Sequence, residues 1–382
     1  MNFNPALERM AAYPFVGLEQ VKQQVAEGVG ELIDFGVGDP MERTPSFIRA
    51  TLIDSLAAAS GYPKAAGLPE TRAAIAQWYG RRFGVTLDPG REVLPSSGSK
   101  EAIFSFAQIA VDRSSTKDTV VVTQPGYPIP LRSAQLNGCR LLTLPLHEER
   151  GYLPDLQTLD RAAWERVALF WVNYPNNPTG ARAPLDFYQA LADKATEHDF
   201  LVASDEAYSE IYFGEPPRSA LEVADRSNIV AFNTLSKRSA MTGYRTGSIV
   251  AHERVMTMFK RYRPLAGSAS PEFIQRAAAA AWRDEAHVEE MREIYRAKRD
   301  VIEPWFRKKG LRVAGSDATF YLWVAVPEGE TEETFSLRLL QRGVVVAPGT
   351  FFGAPGRGYF RMALVPTLEQ CHKAVELLDE VI

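Results

Sequence analysis

Between residues 93 and 251, short apolar runs alternate with stretches of helical periodicity, and no other feature narrows the fold as much. The runs are Val93-Leu-Pro, Thr119-Val-Val-Val, Arg140-Leu-Leu-Thr-Leu, Val167 to Val172, Phe200 to Ala203, Ile229 to Phe232 and Gly247-Ser-Ile-Val-Ala. Each is strand-length and most lack polar alternation, as strands covered on both faces do. Helical patterns at Lys100–Ala110 and Leu185–His198 lie among them, the second opening after Pro184. The arrangement predicts an α/β fold with a mainly parallel, mixed sheet. From about Pro271 the texture changes to two long charged helix patterns, 271–282 and 285–309. Apolar runs at Thr319, Val344 and Tyr359 and a last helix from Thr367 follow. This predicts a large domain over 45–270 and a smaller α+β domain over 271–382, with residues 1–44 packing against the smaller one.

Three of the strand-like runs end in polar clusters. Tyr174-Pro-Asn-Asn-Pro-Thr-Gly180 follows the run from Val167, and Ser204-Asp-Glu-Ala-Tyr-Ser209 follows the run from Phe200. Asn233-Thr-Leu-Ser-Lys-Arg-Ser239, with Gly243-Tyr-Arg-Thr-Gly247, follows the run from Ile229. The carboxyl ends of strands are where open α/β sheets bind ligands. Lys237 is the informative residue of the set. An amine flanked by the hydroxyls of Thr234 and Ser236, with Arg245 nearby, can form a Schiff base with an aldehyde while its neighbours hold a phosphate. Pyridoxal 5′-phosphate carries both groups.

The other clusters supply what that cofactor needs. Asp205 ends a doubly covered run, where a carboxylate is costly unless paired. It either caps a turn or forms a salt bridge to a pyridine nitrogen, which would hold that nitrogen protonated. Tyr208 and Asn177 stand within reach of a phenolic oxygen, although Asn-Pro-Thr-Gly is also ordinary turn chemistry. Ser97-Gly-Ser-Lys-Glu101 opens a helix, so Gly98, Ser99 and Lys100 can present free N–H groups to a phosphate. Tyr127, in Gln124-Pro-Gly-Tyr-Pro, either stacks on the ring or packs within its loop. No Gly-x-x-x-x-Gly-Lys-Ser/Thr segment occurs, which disfavours nucleoside triphosphate chemistry.

Composition excludes several alternatives. A net charge of −4 over 382 residues argues against nucleic-acid and polybasic membrane roles. Two cysteines form no metal motif and no disulfide framework, which suggests thiols in the reducing cytoplasm and no bound metal. The first residues lack the pattern of a secretion signal, and no apolar run has membrane-spanning length.

Asn177-Pro-Thr-Gly, Asp205-x-x-Tyr208 and Ser236-Lys237 with Gly243-x-Arg245-x-Gly247 together resemble the signature of class I/II aminotransferases of the pyridoxal-phosphate fold type I. The resemblance runs from Phe35-Gly-Val-Gly-Asp-Pro40 to Arg361. It implies that Lys237 holds the cofactor aldehyde, Asp205 the pyridinium, and Asn177 and Tyr208 the phenolic oxygen. Tyr127 would stack on the ring. Gly98, Ser99, Lys100 (through its backbone N–H), Thr234, Ser236 and Arg245 would surround the phosphate. Tyr62, in Ser60-Gly-Tyr-Pro, would reach the phosphate of a partner subunit, so a homodimer is implied. Arg361 would grip the substrate α-carboxylate, unless it is a strand-end surface charge, and Gly38 would line the substrate site. The implied reaction moves an amino group between an amino acid and a 2-oxo acid, commonly 2-oxoglutarate. Tyr13-Pro-Phe, Ile33-Asp-Phe-Gly-Val-Gly-Asp-Pro, Ala281-Trp-Arg-Asp-Glu-Ala-His-Val and Ala363-Leu-Val-Pro-Thr are similar to N-succinyldiaminopimelate aminotransferases. The same catalytic residues would serve donors such as LL-diaminopimelate, aspartate or aromatic amino acids, or a C–S lyase. A cofactor-sensing regulator is disfavoured, because the chain has no length or basic segment for a DNA-binding module. By charge, Arg263, Arg43 and Lys100 are the candidates to read a distal carboxylate.

Overall fold

The computed structural model describes residues 1, 3–59, 61–267 and 269–379, without the side chains of residues 26 and 27. Its strands in chain order are β1 (Ile33–Asp34), β2 (Val93–Ser96), β3 (Thr119–Gln124), β4 (Arg140–Pro145), β5 (Val167–Asn173), β6 (Leu201–Asp205) and β7 (Ile229–Thr234). They continue with β8 (Gly247–Ala251), β9 (Val313–Gly315), β10 (Tyr321–Ala325), β11 (Val344–Val345), β12 (Ala347–Pro348) and β13 (Tyr359–Ala363). The large sheet has seven strands in the order β2-β8-β7-β6-β5-β3-β4. All its pairings are parallel except those of β8, which runs against both β7 and β2. The expected mainly parallel mixed sheet is therefore present.

Continuous apolar runs make such a sheet because helices cover both faces. Every residue of β5 and β7 is buried. Phe106, Trp171, Phe232 and Phe259 pack on one side of the sheet, while Phe170, Trp164 and Phe200 pack on the other. Because β3, β5, β6 and β7 run the same way, their carboxyl ends open on one edge. The loops that follow them therefore meet.

The C-terminal part forms a four-stranded sheet, β12-β13-β10-β9, under helix Ala286–Lys308. The sequence pattern assigns helix Glu272–Arg283 to that unit, yet it packs in the large core. It lies against helices Ser46–Asp54 and Pro69–Phe83, with the Trp78 and Trp282 ring centroids 4.7 Å apart. Its run of small residues, Ala277 to Ala281, lets two neighbouring helices approach closely. The chain thus leaves the large core at Asp284 and Glu285.

The N-terminal segment touches both parts. Strand β1 pairs in parallel with β11, and a buried Lys298–Glu42 ion pair ties the following loop to helix Ala286–Lys308. Earlier in the chain, Arg132 donates to the carbonyls of Ala11 (2.8 Å) and Ala12 (3.1 Å), holding that stretch against the large sheet. Among the described residues no helix is long and apolar enough to cross a membrane.

Candidate active site

A cavity of about 520 Å³ opens at the carboxyl edge of the large sheet. Its lining includes Gly38, Ser99, Lys100, Tyr127, Asn177, Asp205, Tyr208, Thr234, Ser236, Lys237, Arg245 and Arg361. Residues from the carboxyl ends of β2, β3, β5, β6 and β7, the N-terminal segment and the smaller sheet are thus brought to one place.

Lys237 lies on a one-turn helix, Leu235–Arg238, directly after β7. Thr234 caps that turn, its hydroxyl oxygen accepting the Ser236 N–H at 3.1 Å. The Lys237 Nζ donates to the Gly38 carbonyl at 2.6 Å. Desolvation lowers its pKa from 10.5 to about 8; the Asp39 carboxylate opposes that fall, and Arg361 and Arg245 add to it. Near neutrality this amine gives up its proton far more readily than an ordinary lysine.

Asp205 is 5% exposed and meets no cation at ion-pair distance among the described residues. One backbone N–H, from Ala207 at 3.2 Å, donates to its carboxylate. Burial raises its pKa from 3.8 to about 7, with that hydrogen bond and then Lys237 opposing the rise. An ionised carboxylate is costly in this setting, and a cationic or N–H partner from a ligand would stabilise it.

The phosphate-type donors gather on the other flank. Helix Ser99–Ala110 starts after Gly98, at φ 77°, with no side-chain cap, so its first N–H groups stay available. Glycine suits that position because L side chains rarely adopt its φ, and a Cβ there would also crowd the Arg245 guanidinium. Arg245 itself adopts φ 52°, a strained conformation for a long side chain, and donates to the Thr242 carbonyl at 2.8 Å. The Thr234 and Ser236 hydroxyl oxygens are 2.9 Å apart.

Arg361 reaches the cavity from the centre of β13, where it stands opposite Trp323 on one neighbour and Ala347 on the other. It is 2% exposed, which rules out the surface-charge reading. Its guanidinium donates to Asn177 Oδ1 (2.9 Å) and the Gly36 carbonyl (2.6 Å), while Nε has no hydrogen-bond partner. The Tyr321 and Phe352 rings lie 4.1 Å and 4.6 Å from its Cζ. A buried guanidinium held only by neutral acceptors keeps its charge uncompensated, and its planar donors suit a carboxylate. Gly38 lines the same wall, where a Cβ would collide with the Tyr321 hydroxyl. The bonds before Pro175 and Pro178 are cis.

Several residues escaped the sequence reading. Tyr321 places its hydroxyl 2.7 Å from that of Tyr208. Tyr13, Phe15, Asp39, Asn173, Thr242 and Phe352 also line the cavity. Of these, Tyr13, Phe15 and Asp39 lay in quoted motifs, but nothing in those motifs pointed these side chains to the site.

Two expected residues lie elsewhere. Arg263 is buried against Glu101, with a 2.6 Å ion pair, and is not among the cavity lining. Arg43 lines a separate groove with Phe47 and His287. Of the three candidates for a distal carboxylate, only Lys100 faces the cavity, its Nζ 5.3 Å from the Tyr13 ring. Tyr62 is fully exposed and outside this cavity; Ser60 lies outside the described residues.

The donor set fits pyridoxal phosphate on three independent grounds. It has an amine of lowered basicity, a buried carboxylate lacking a cation, and a helix start whose glycine leaves room for Arg245. A family model for class I and II aminotransferases matches residues 30–378, and the chain belongs to that family, whose members use pyridoxal phosphate on fold type I. Among relatives, the LL-diaminopimelate aminotransferase of Nitratidesulfovibrio vulgaris strain DP4 is 38% identical, covering 98% of each chain. The apo-BacF structure from Bacillus subtilis superposes with a TM-score of 0.94 at 31% identity, over 100% of this chain and 98% of that one. A probable N-succinyldiaminopimelate aminotransferase from Thermus thermophilus gives 0.89 at 28% identity, over 96% of this chain and 100% of that one.

Asp205 allows a test that separates its charge from its packing. Its folded pKa, about 7, lies above the ordinary 3.8. The stability it contributes is therefore complete below pH 3.8 and lost as pH rises through about 7. In cofactor-free protein, Asp205→Asn should match the wild type in acid and exceed its thermal midpoint above pH 7. With cofactor bound the order should reverse. A difference between the two that stays constant with pH and cofactor would contradict this account.

Proposed function

We propose that this aminotransferase takes LL-diaminopimelate as amino donor and 2-oxoglutarate as acceptor, acting in the cytoplasm as a homodimer. When bound, the cofactor supplies an aldehyde for amine exchange and a ring that accepts the electron pair released at the substrate α-carbon. Lys237 would hold that aldehyde through its amine, which would also take the α-proton. Asp205 would keep a proton at the ring nitrogen. Asn177 and Tyr208, the latter supported by Tyr321, would serve the phenolic oxygen, and Tyr127 would cover the ring. Ser99, Lys100 through its backbone, Thr234, Ser236 and Arg245 would hold the phosphate. Tyr62 of the partner subunit would complete that group. Arg361 would orient the α-carboxylate.

The donor choice rests on the charges left over. With Lys237, Asp205, Arg245 and Arg361 assigned, the cavity retains one cation, Lys100, and one anion, Asp39, among the described residues. Asp39 has no hydrogen bond or ion pair among the described residues. One charge of each sign suits a distal amino-acid head, which carries an ammonium and a carboxylate. An N-succinyl donor lacks that ammonium and adds a second carboxylate, which Asp39 would repel. The full-length relatives named for LL-diaminopimelate point the same way. The N-succinyl reading is supported by the Thermus structure and by the motifs quoted above.

A donor panel with 2-oxoglutarate decides between them. LL-diaminopimelate should give the highest kcat/KM, above N-succinyl-LL-diaminopimelate, aspartate and phenylalanine. Asp39→Asn should narrow the gap between the first two. Faster turnover of aspartate or phenylalanine than of either diaminopimelate would end the proposal.

A further inference from the structure

Two residues after Lys237, a hydrogen-bonded chain leaves the active site for the junction between the two cores. The Ser239 Oγ lies 2.8 Å from Nε2 of His287, and Nδ1 of the same ring lies 2.6 Å from Asp284 Oδ1. Asp284 also accepts the His287 backbone N–H at 3.0 Å, and its pKa is lowered, so it is ionised. An ionised carboxylate can only accept, which fixes the ring proton on Nδ1. In the neutral ring, Nε2 then accepts the Ser239 hydroxyl.

A serine, histidine and aspartate in this order invite a hydrolytic reading. Access rules it out: Ser239 is 0% exposed and lines none of the cavities described above. What the chain does touch is the turn that carries the reactive amine. Ser239 caps Leu235–Arg238, its N–H donating to the Leu235 carbonyl at 3.1 Å. The intervening Arg238 is buried with Cζ 5.0 Å from both Trp78 and Trp282. It donates to the Asp284 carbonyl and Glu285 Oε2, both at 3.3 Å. Residues 284–287 therefore grip the lysine turn at both Arg238 and Ser239. They are also where the chain passes from helix Glu272–Arg283, in the large core, to helix Ala286–Lys308 over the smaller sheet.

The geometry points to Asp284, His287 and Ser239 as a positioning relay that holds the Lys237 turn in register with the start of helix Ala286–Lys308. None of the three touches the cavity, so they act through Lys237 and not on substrate. The relay rests on Lys237 being the reactive amine, as proposed above.

The test uses holoenzyme variants Ser239→Ala, His287→Ala and their double, with two readouts: kcat against KM, and the pH midpoint of the visible band of lysine-linked cofactor. Loss of one buried hydrogen bond in the relay should lower kcat about five- to tenfold with KM unchanged. The band midpoint should shift in each single variant. The double should fall no further than the worse single, because the two side chains act as one unit. Unchanged kcat and midpoint in the single variants, or fully additive losses in the double, would overturn the relay. Should His287→Ala not fold, the nearly isosteric Ser239→Ala decides on its own. Lys237→Ala keeps the two readings separate: retention of the band there refutes the assignment of the amine. Loss of the band there, with inert relay variants, refutes the relay alone.

Discussion

Replacing Lys237 by alanine is expected to remove the visible absorbance of lysine-linked cofactor and to lower kcat by roughly a hundred- to ten-thousandfold. The size follows from the two roles proposed for one amine, covalent attachment and proton transfer, with no second amine beside Gly38 to substitute among the described residues. Lys100 is the other lysine lining the cavity, and it sits beside Tyr13 toward the Arg245 flank. Burial and Arg245 lower its pKa as well, but it makes no contact with Gly38, where the Lys237 amine is held. The same substitution should not unfold the protein. The Lys237 pKa falls from 10.5 to about 8, so the stability it contributes is present above pH 10.5 and lost as pH falls through about 8. At neutral pH its charge is a burden, and the cofactor-free alanine variant should melt at or above the wild-type temperature. Near-normal turnover by this variant, in folded protein with phosphate-bound cofactor, would place the reactive amine elsewhere.

The large sheet and its floor were legible because they depend on short-range pattern. Strands β5, β6 and β7 are covered on both faces, so their apolar runs stand out, and the polar clusters that follow mark where each run ends. Once those strands are parallel, Asn177, Asp205 and Lys237 must converge. The rest of the site arrives from far along the chain. Tyr321 lies in a strand whose first four residues are all buried, so no alternation marks which side chain faces the cavity. Asp39 follows a two-residue strand, too short to register as an element. Arg263 was a candidate carboxylate reader by charge alone. Only the folded chain separates a guanidinium bonded to Glu101 from one held by carbonyl-type acceptors.

The destination of the helix that starts near residue 271 was hidden for a related reason. Helices Glu272–Arg283 and Ala286–Lys308 carry similar charge patterns, and periodicity tells that a helix has an apolar face without telling which core receives it. The alanines at 277–281 were the available signal, since small side chains suit a helix wedged between two others. That wedge places Asp284 beside the lysine turn, where the link between the cores can bear on the chemistry.

Arg361→Ala should reduce kcat/KM for α-amino acids by about a hundred- to several-thousandfold, because removing one partner of a buried charged pair costs about 3–5 kcal/mol. The loss is specific to substrates that bring a carboxylate. Arg361 makes no direct bond to Lys237, Asp205 or Arg245, so the variant should keep its cofactor and its visible band. Arg361→Lys should recover little, since an ammonium cannot reproduce two parallel donors aimed at one carboxylate and stacked against Tyr321 and Phe352. The comparison that isolates the effect is a simple primary amine lacking a carboxylate, which reacts slowly with the wild type. Its single-turnover rate should be the same in wild type and Arg361→Ala, while the advantage of the matching amino acid over it collapses. Equal losses for the amine and the amino acid would mean that Arg361 supports the fold of the site through Asn177 and Gly36, and that the carboxylate is read by another residue.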